Sequence, residues 1–490
     1  MNFGTLDWTI VIIYLIATVV AGLWMRRYLG NVGYYIVAGR AMDTYLGVAS
    51  LAATELGIVT VMYTAELGYK NGFAGMIPGI LFCLAAFFLG ITGFIIKPLR
   101  EAGVMTIPEL FETRYSLKVR WLAGVFIALG GILNMGIFLK LGGQFLVYCV
   151  GMPENYLEIV MISLLALTLV YTVAGGMLSV LITDYLQFIL LGIGIVITSV
   201  FVLHANGWTA LADAVRKYHG DAGFTPLLGE GQGGGWLFWQ ALTAIGAIST
   251  WQTNIARVLA AKDAKTGRKI YTTAAFYYVG RFGLPGLWAV GALAVLGDKY
   301  LQPGMDSLAA MPIYIGTILP TGILGLVVAG MLAAEMSTDS AYLLTWASVI
   351  YNDITRPLIK RPLRPVTEIW ITRSLVIAIG AFLVFFGLLY PLKGAAWDYL
   401  AITGNIYLAS IFTLLVGGLY FPKASTGGAF AALLCGAVGP ITFLALGLMF
   451  KDFTVPPWIP GIGAFALAAL GMIVGSILWP NRTVVKGEAA

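Results

Sequence analysis

Long apolar runs separated by short polar stretches recur along the whole chain. A membrane-crossing helix needs about 20 predominantly apolar residues. Thirteen runs meet that need: 8–25, 44–69, 73–96, 121–150, 156–173, 178–203, 236–255, 270–296, 324–350, 370–389, 397–420, 429–450 and 458–478. Numbered in that order, they predict an all-α polytopic membrane protein with about 13 transmembrane helices. Several open on tryptophan (Trp8, Trp121, Trp236 and Trp370 among them), where an aromatic belt would meet the headgroups. Two runs are interrupted at mid-depth by small and polar residues. Run two holds Ala52-Ala53-Thr54-Glu55-Leu56-Gly57, and run seven holds Gly246 to Asn254. Backbone that leaves the helix at membrane depth is tolerated only where it lines a cavity. Paired interruptions in two halves of a chain are the best sequence pointer to a transporter site. Runs two to six and seven to eleven then fit two five-helix repeats. The organisation expected is an added N-terminal helix and inside loop (1–43), a first repeat (44–204), an outside loop (205–234), a second repeat (235–420), and two added helices with a tail (421–490). The Gly-rich outside loop is expected to be mobile.

The basic residues orient these runs. The segments after runs one, three, seven and nine, together with the tail, carry most of the lysines and arginines; Lys97, Arg100, Arg114, Lys118 and Arg120 cluster in one of them, and Arg257, Lys262, Lys265, Arg268 and Lys269 in another. The alternate segments carry few. A Lys/Arg excess marks the cytoplasmic side, which sets the N-terminus outside and the C-terminus in the cytoplasm of a plasma membrane, in a bacterium the inner one. It also explains the net charge of +6 without a nucleic acid. Run one lacks a basic leader and a small-residue cleavage site, so it is expected to be retained rather than cleaved as a signal peptide.

Composition narrows the function classes. The chain is 59% apolar and 11% charged, with mean hydropathy +0.89, against about 45–50% and roughly 25% in soluble proteins. Cys83, Cys149 and Cys435 all lie in apolar runs, where a cysteine usually packs. With only His204 and His219 as histidines, and no nucleophile–base or metal motif, a membrane enzyme is disfavoured.

Four acids stand where a charge costs several kcal/mol: Glu55 in run two, Asp184 in run six, and Glu335 and Asp339 in run nine. One reading is salt bridges or caps; the other is a buried ion or substrate path, favoured by the hydroxyl residues around them. Within Ala333 to Ser340, positions 334, 337, 338 and 341 share one helix face. That face presents a carbonyl and two hydroxyls, hard donors that suit Na⁺ better than a transition metal. A small-residue packing face would look the same.

The motifs Gly175-Gly176-Met177-Leu178-Ser179-Val180, Thr183-Asp184 with Gln187, Gly330 to Ser340, Arg257 to Lys262, Gly39-Arg40, and Thr106-Ile107-Pro108-Glu109 with Arg114 occur in that family's order: between about Tyr34 and Lys423 the chain resembles the sodium:solute symporter family. The resemblance implies a LeuT-type 5+5 inverted-repeat fold and Na⁺-driven uptake by alternating access, with no oligomer required. It implies a sodium held by the carbonyls of Ala53, Leu56 and Ala334 and the hydroxyls of Ser337 and Thr338. Some members hold a second sodium, for which Asp184 and Ser340 match, but Ala341 stands where a serine is expected. Asp184 then either holds that ion, supports the first, or pairs with a nearby Lys or Arg. The sugar and proline pockets of the family do not carry over, because Val59, Thr60, Trp251 and Tyr278 replace their signature residues.

Glu55, Thr60, Trp251, Gln252 and Asn254 are expected around one solute cavity, since broken helices meet near the midplane. Glu55 either faces that cavity or supports unwound backbone; Trp251 either walls it or packs the bundle. The function expected is Na⁺-coupled symport of a small polar organic solute, such as a sugar, an amino acid or a related compound. A transporter-like sensor that binds without transport is the alternative.

Overall fold

The computed structural model describes residues 2–24, 42–229, 232–392, 394–450 and 453–481. Arg26, Arg27, Gly39, Arg40, Lys393, Lys451, Arg482 and Lys486 lie outside the described residues, as do the side chains of Gly175 to Ser179. The helices in chain order are α1 (Thr5–Trp24), α2 (Thr44–Glu55), α3 (Ile58–Asn71), α4 (Ile77–Thr92), α5 (Ile96–Glu101), α6 (Ile107–Arg114), α7 (Leu117–Met135), α8 (Phe138–Val150), α9 (Leu157–His219) and α10 (Gly233–Thr250). They continue as α11 (Gln252–Ala260), α12 (Ala264–Ala274), α13 (Tyr277–Leu296), α14 (Ala310–Ile318), α15 (Ile323–Val349), α16 (Pro365–Leu389), α17 (Ala396–Tyr420), α18 (Thr426–Met449) and α19 (Trp458–Leu478).

Eleven helical segments among the described residues are long and apolar enough to cross a membrane, against the thirteen expected. The difference lies in runs two and seven. Run two is split into α2 and α3, and run seven into α10 and α11. At 12 and 9 residues, α2 and α11 are too short to span alone. The helical stretch α9 carries two spans, Glu154–Ala174 and Thr183–Gly223, whose Tyr171 and Asp184 reach the neighbouring residues Met336 and Ser337 of α15.

The outside loop expected from residue 205 is instead largely helical, since α9 runs on to His219 and a 3₁₀ turn covers Gly220–Gly223. Leu211 and Val215 recur one turn apart and bury against Leu287 and Val290 of α13. That apolar stripe fixes the segment, and glycines become frequent only after it.

Side-chain caps start several helices where the chain turns. Asp43 accepts from the Leu46 amide at α2, and Asp263 from the Thr266 amide at α12. Asp7 of α1 is fully buried and accepts from the amides of Gly322 and Gly325 at 2.7 and 2.6 Å, which satisfies the start of α15. Every residue of α15 from Val327 to Val349 is buried. Its run of Gly330, Ala333, Ala334, Ser337, Ser340 and Ala341 lets neighbours approach closely. It packs along α9 and α1 and touches α2, α3 and α11, so one central helix meets both broken ones.

Candidate functional site

The first break lies at Leu56 (φ −109°, ψ 67°) and Gly57 (φ −78°, ψ 170°), and the second at Trp251 (φ −63°, ψ 113°). Ending a helix frees its last carbonyls. Three of those at the end of α2 have donors. Ala52 accepts from Tyr277 Oη at 2.7 Å, Thr54 from Thr338 Oγ1 at 3.0 Å, and Glu55 from Thr60 Oγ1 at 3.0 Å. No hydrogen bond among the described residues reaches the carbonyls of Ala53 or Leu56. Both residues are buried, and a buried carbonyl without a donor needs a ligand or water.

Thr338 of α15 lies against this break. A Cβ on Gly57 would stand 2.5 Å from Thr338 Oγ1, so the absence of a side chain there admits the hydroxyl. Ser337 Oγ donates to Asp184 Oδ1 at 2.6 Å. The structure thus brings Ala53, Leu56, Ser337 and Thr338 into one buried region, with Ala334 a turn earlier on the same helix face. Oxygens without a full charge are the donor set of a modestly bound hard monovalent cation, and Na⁺ fits them.

Asp184 is engaged on both oxygens. Its Oδ2 accepts from Ser50 at 2.9 Å and lies 3.5 Å from Thr54 Oγ1 and from Arg257 Nη2. Arg257 also donates to the Thr253 carbonyl at 2.9 Å and reaches Ser50 at 3.3 Å. Counted among the inside loop charges in the sequence, Arg257 is in fact fully buried on α11, where it ties α11 to α2 and α9. Ser340 Oγ donates to the Ser337 carbonyl at 3.0 Å. Glu335 and Asp339 are fully buried with no ion pair among the described residues, and the backbone amides of Ile58 and Val59 at the start of α3 face Glu335.

A cavity with about 620 Å³ of unfilled space, its open mouth included, lies between the two breaks. Glu55, Thr60, Trp251, Asn254 and Thr338 line it. Glu55 Oε2 pairs with Arg281 Nη1 at 2.7 Å, and Thr253 Oγ1 lies 3.4 Å from Glu55 Oε1. Arg281 Nη2 donates to Tyr63 Oη at 2.9 Å and to Thr60 Oγ1 at 3.3 Å. Trp251 does both things foreseen for it. Its ring stacks on Tyr407 at 5.5 Å and its Nε1 donates to Tyr342 Oη at 2.8 Å, while it also walls the cavity.

Gln252 is buried but does not line the cavity. On a helix of 3.6 residues per turn, residues 252 and 254 stand about 200° apart, on opposite faces. Arg281, which with Lys140 is one of the two cations within a nearby run but was not placed at the site from sequence, reaches Glu55 from α13. Its signal was available: a lone arginine deep in an apolar run faces a cavity or a partner. Tyr63, Phe82 and Trp397, also on the cavity wall, had no such signal, because aromatics fill every run.

A model of the sodium:solute symporter family matches residues 35–436. The sodium/glucose cotransporter of Vibrio parahaemolyticus is 25% identical over 92% of this chain and 86% of its own. The sodium/proline symporter of Haemophilus influenzae is 26% identical over 95% of this chain and 93% of its own. The solved structure of a Na⁺-coupled sialic acid symporter, substrate-bound and outward-open, has a TM-score of 0.82 at 19% identity and covers 98% of this chain and 99% of that one. MhsT in complex with L-phenylalanine has a TM-score of 0.56 at 13% identity, over 89% of this chain and 98% of its own. These likenesses show the LeuT-type transporter fold.

Proposed function

Since the chain belongs to the sodium:solute symporter family, we propose that it imports a small polar organic solute by alternating access, driven by one Na⁺ per cycle. Na⁺-coupled transport through an integral membrane protein, rather than enzymatic turnover, is what that membership carries. The finer reading rests on one observation: the carbonyls of Ala53 and Leu56, freed at the break and without donors among the described residues, lie where Thr338 meets Gly57. Ala334 and Ser337 complete the five oxygens. Solute binds in the adjoining cavity against Glu55, Thr60, Trp251 and Asn254, so ion and solute share the broken helix α2–α3. Occupancy of one then orders the other's ligands, which is the coupling free energy that symport requires.

One Na⁺ is favoured because the groups of the second set serve each other. Asp184 is satisfied by Ser337, Ser50 and Arg257, and Ser340 by the Ser337 carbonyl. The protein resides in a plasma membrane, in a bacterium the inner one, with its N-terminus outside and its C-terminus in the cytoplasm.

The test is Na⁺ titration of uptake into proteoliposomes, with Na⁺-dependent thermal stabilisation read in parallel. Thr338→Ala and Ser337→Ala each delete a neutral ligand and raise the half-maximal Na⁺ concentration. A Na⁺ response unchanged in both variants refutes the assignment.

A further inference from the structure

Arg281 points to the chemistry of the solute. A guanidinium offers five N–H donors. In Arg281, Nη1 serves Glu55 and Nη2 serves Thr60 and Tyr63, while Nε is buried with no acceptor. The residue is only 8% exposed and lines the cavity. Its neighbour Tyr63 acts as acceptor toward Arg281, which leaves the Tyr63 hydroxyl proton available to a ligand. Arg281 and Tyr63 both line the cavity, whose apolar wall is Phe82, Phe138, Trp397, Leu400 and Leu408 and whose polar positions include Asn134, Thr243 and Asn254.

We propose that the transported solute is an organic monocarboxylate, its carboxylate accepting from Arg281 Nε and Tyr63 Oη and its carbon body lying against the aromatic and leucine walls. This rests on the cavity being the solute site, as proposed above. Glu55 is then the counter-ion of Arg281, not the group that selects the solute. A cationic solute would have to displace a guanidinium held at 2.7 Å from Glu55; a carboxylate displaces nothing and satisfies a donor that has no acceptor. Charge points the same way. Glu55–Arg281 and Asp184–Arg257 each cancel, so a monoanion entering with one Na⁺ adds no net charge at the midplane, where uncompensated charge is costly.

The experiment is a thermal-shift panel on the purified full chain in saturating Na⁺. Propionate, butyrate, lactate and benzoate are compared with propionamide, butyramide, butylamine, glucose and proline. The expected result is stabilisation by at least one carboxylate in Na⁺ but not in choline, and none from its matched amide. Arg281→Gln abolishes that shift while the Na⁺ stabilisation measured without solute persists. Tyr63→Phe, which keeps the ring, weakens the same ligand roughly tenfold, as loss of a hydrogen bond to a charged group does, and carries the test if Arg281→Gln does not fold. Stabilisation only by amines, glucose or proline, no response to any carboxylate, or an undiminished response in the variants overturns the proposal. A wild-type chain that Na⁺ alone does not stabilise would instead overturn the symport reading.

Discussion

Gly57→Ala isolates the proposed sodium site from the rest of the fold. The backbone at Gly57 has φ −78° and ψ 170°, which any residue adopts, so the substitution introduces no conformational strain. It introduces only a methyl group. Built on this backbone, that methyl stands 2.5 Å from Thr338 Oγ1, 2.9 Å from its Cβ and 3.1 Å from its Cγ2. The threonine cannot easily yield. It is a β-branched residue on a helix, with few χ1 options, and rotation would break its 3.0 Å bond to the Thr54 carbonyl. Either α15 moves back or the break reshapes, and both pull ligands apart. Overpacking of this kind costs about 1–3 kcal/mol. Falling on the ion site, that corresponds to a half-maximal Na⁺ concentration raised about 5- to 150-fold. The assay is initial uptake in proteoliposomes across a Na⁺ series, with Gly283→Ala as control, since no atom lies within 4 Å of a Cβ at Gly283. Gly57→Ala with wild-type Na⁺ dependence would refute the reasoning, because the methyl cannot be accommodated without moving Thr338.

Asp184→Asn leaves Arg257 buried without its counter-charge and should lower stability by about 3–5 kcal/mol, read as a lower melting temperature, with Asp184→Asn/Arg257→Gln recovering part of it. Trp251→Phe keeps the stacking on Tyr407 but removes the donor to Tyr342; solute affinity should fall by about 0.5–1.5 kcal/mol, with Na⁺ affinity unchanged in the same titration. The reversal potential of uptake in proteoliposomes should give a coupling ratio of one Na⁺, and a ratio of two would mean that Asp184 and Ser340 take up an ion despite their internal partners.

The sequence by itself determined what depends on local chemistry and solvent. Apolar length fixed the membrane class, because a lipid-exposed span admits few charges wherever it lies. Gly57 and the small residues around it marked the first break, because a helix interrupted in lipid must line a cavity. The face of Ala334, Ser337 and Thr338 followed from helical periodicity alone. Only the tertiary structure decided the partners. Glu55 is 226 positions from Arg281 and Asp184 is 73 from Arg257, and nothing in a one-dimensional pattern selects among the acids and bases at such separations. The helix after residue 204 packs on α13 through Leu211 and Val215. Gln252 and Asn254 differ by two positions and look alike in sequence, yet only Asn254 reaches the cavity. Its helix begins at Gln252, just after the break at Trp251, and that starting residue sets which face turns inward.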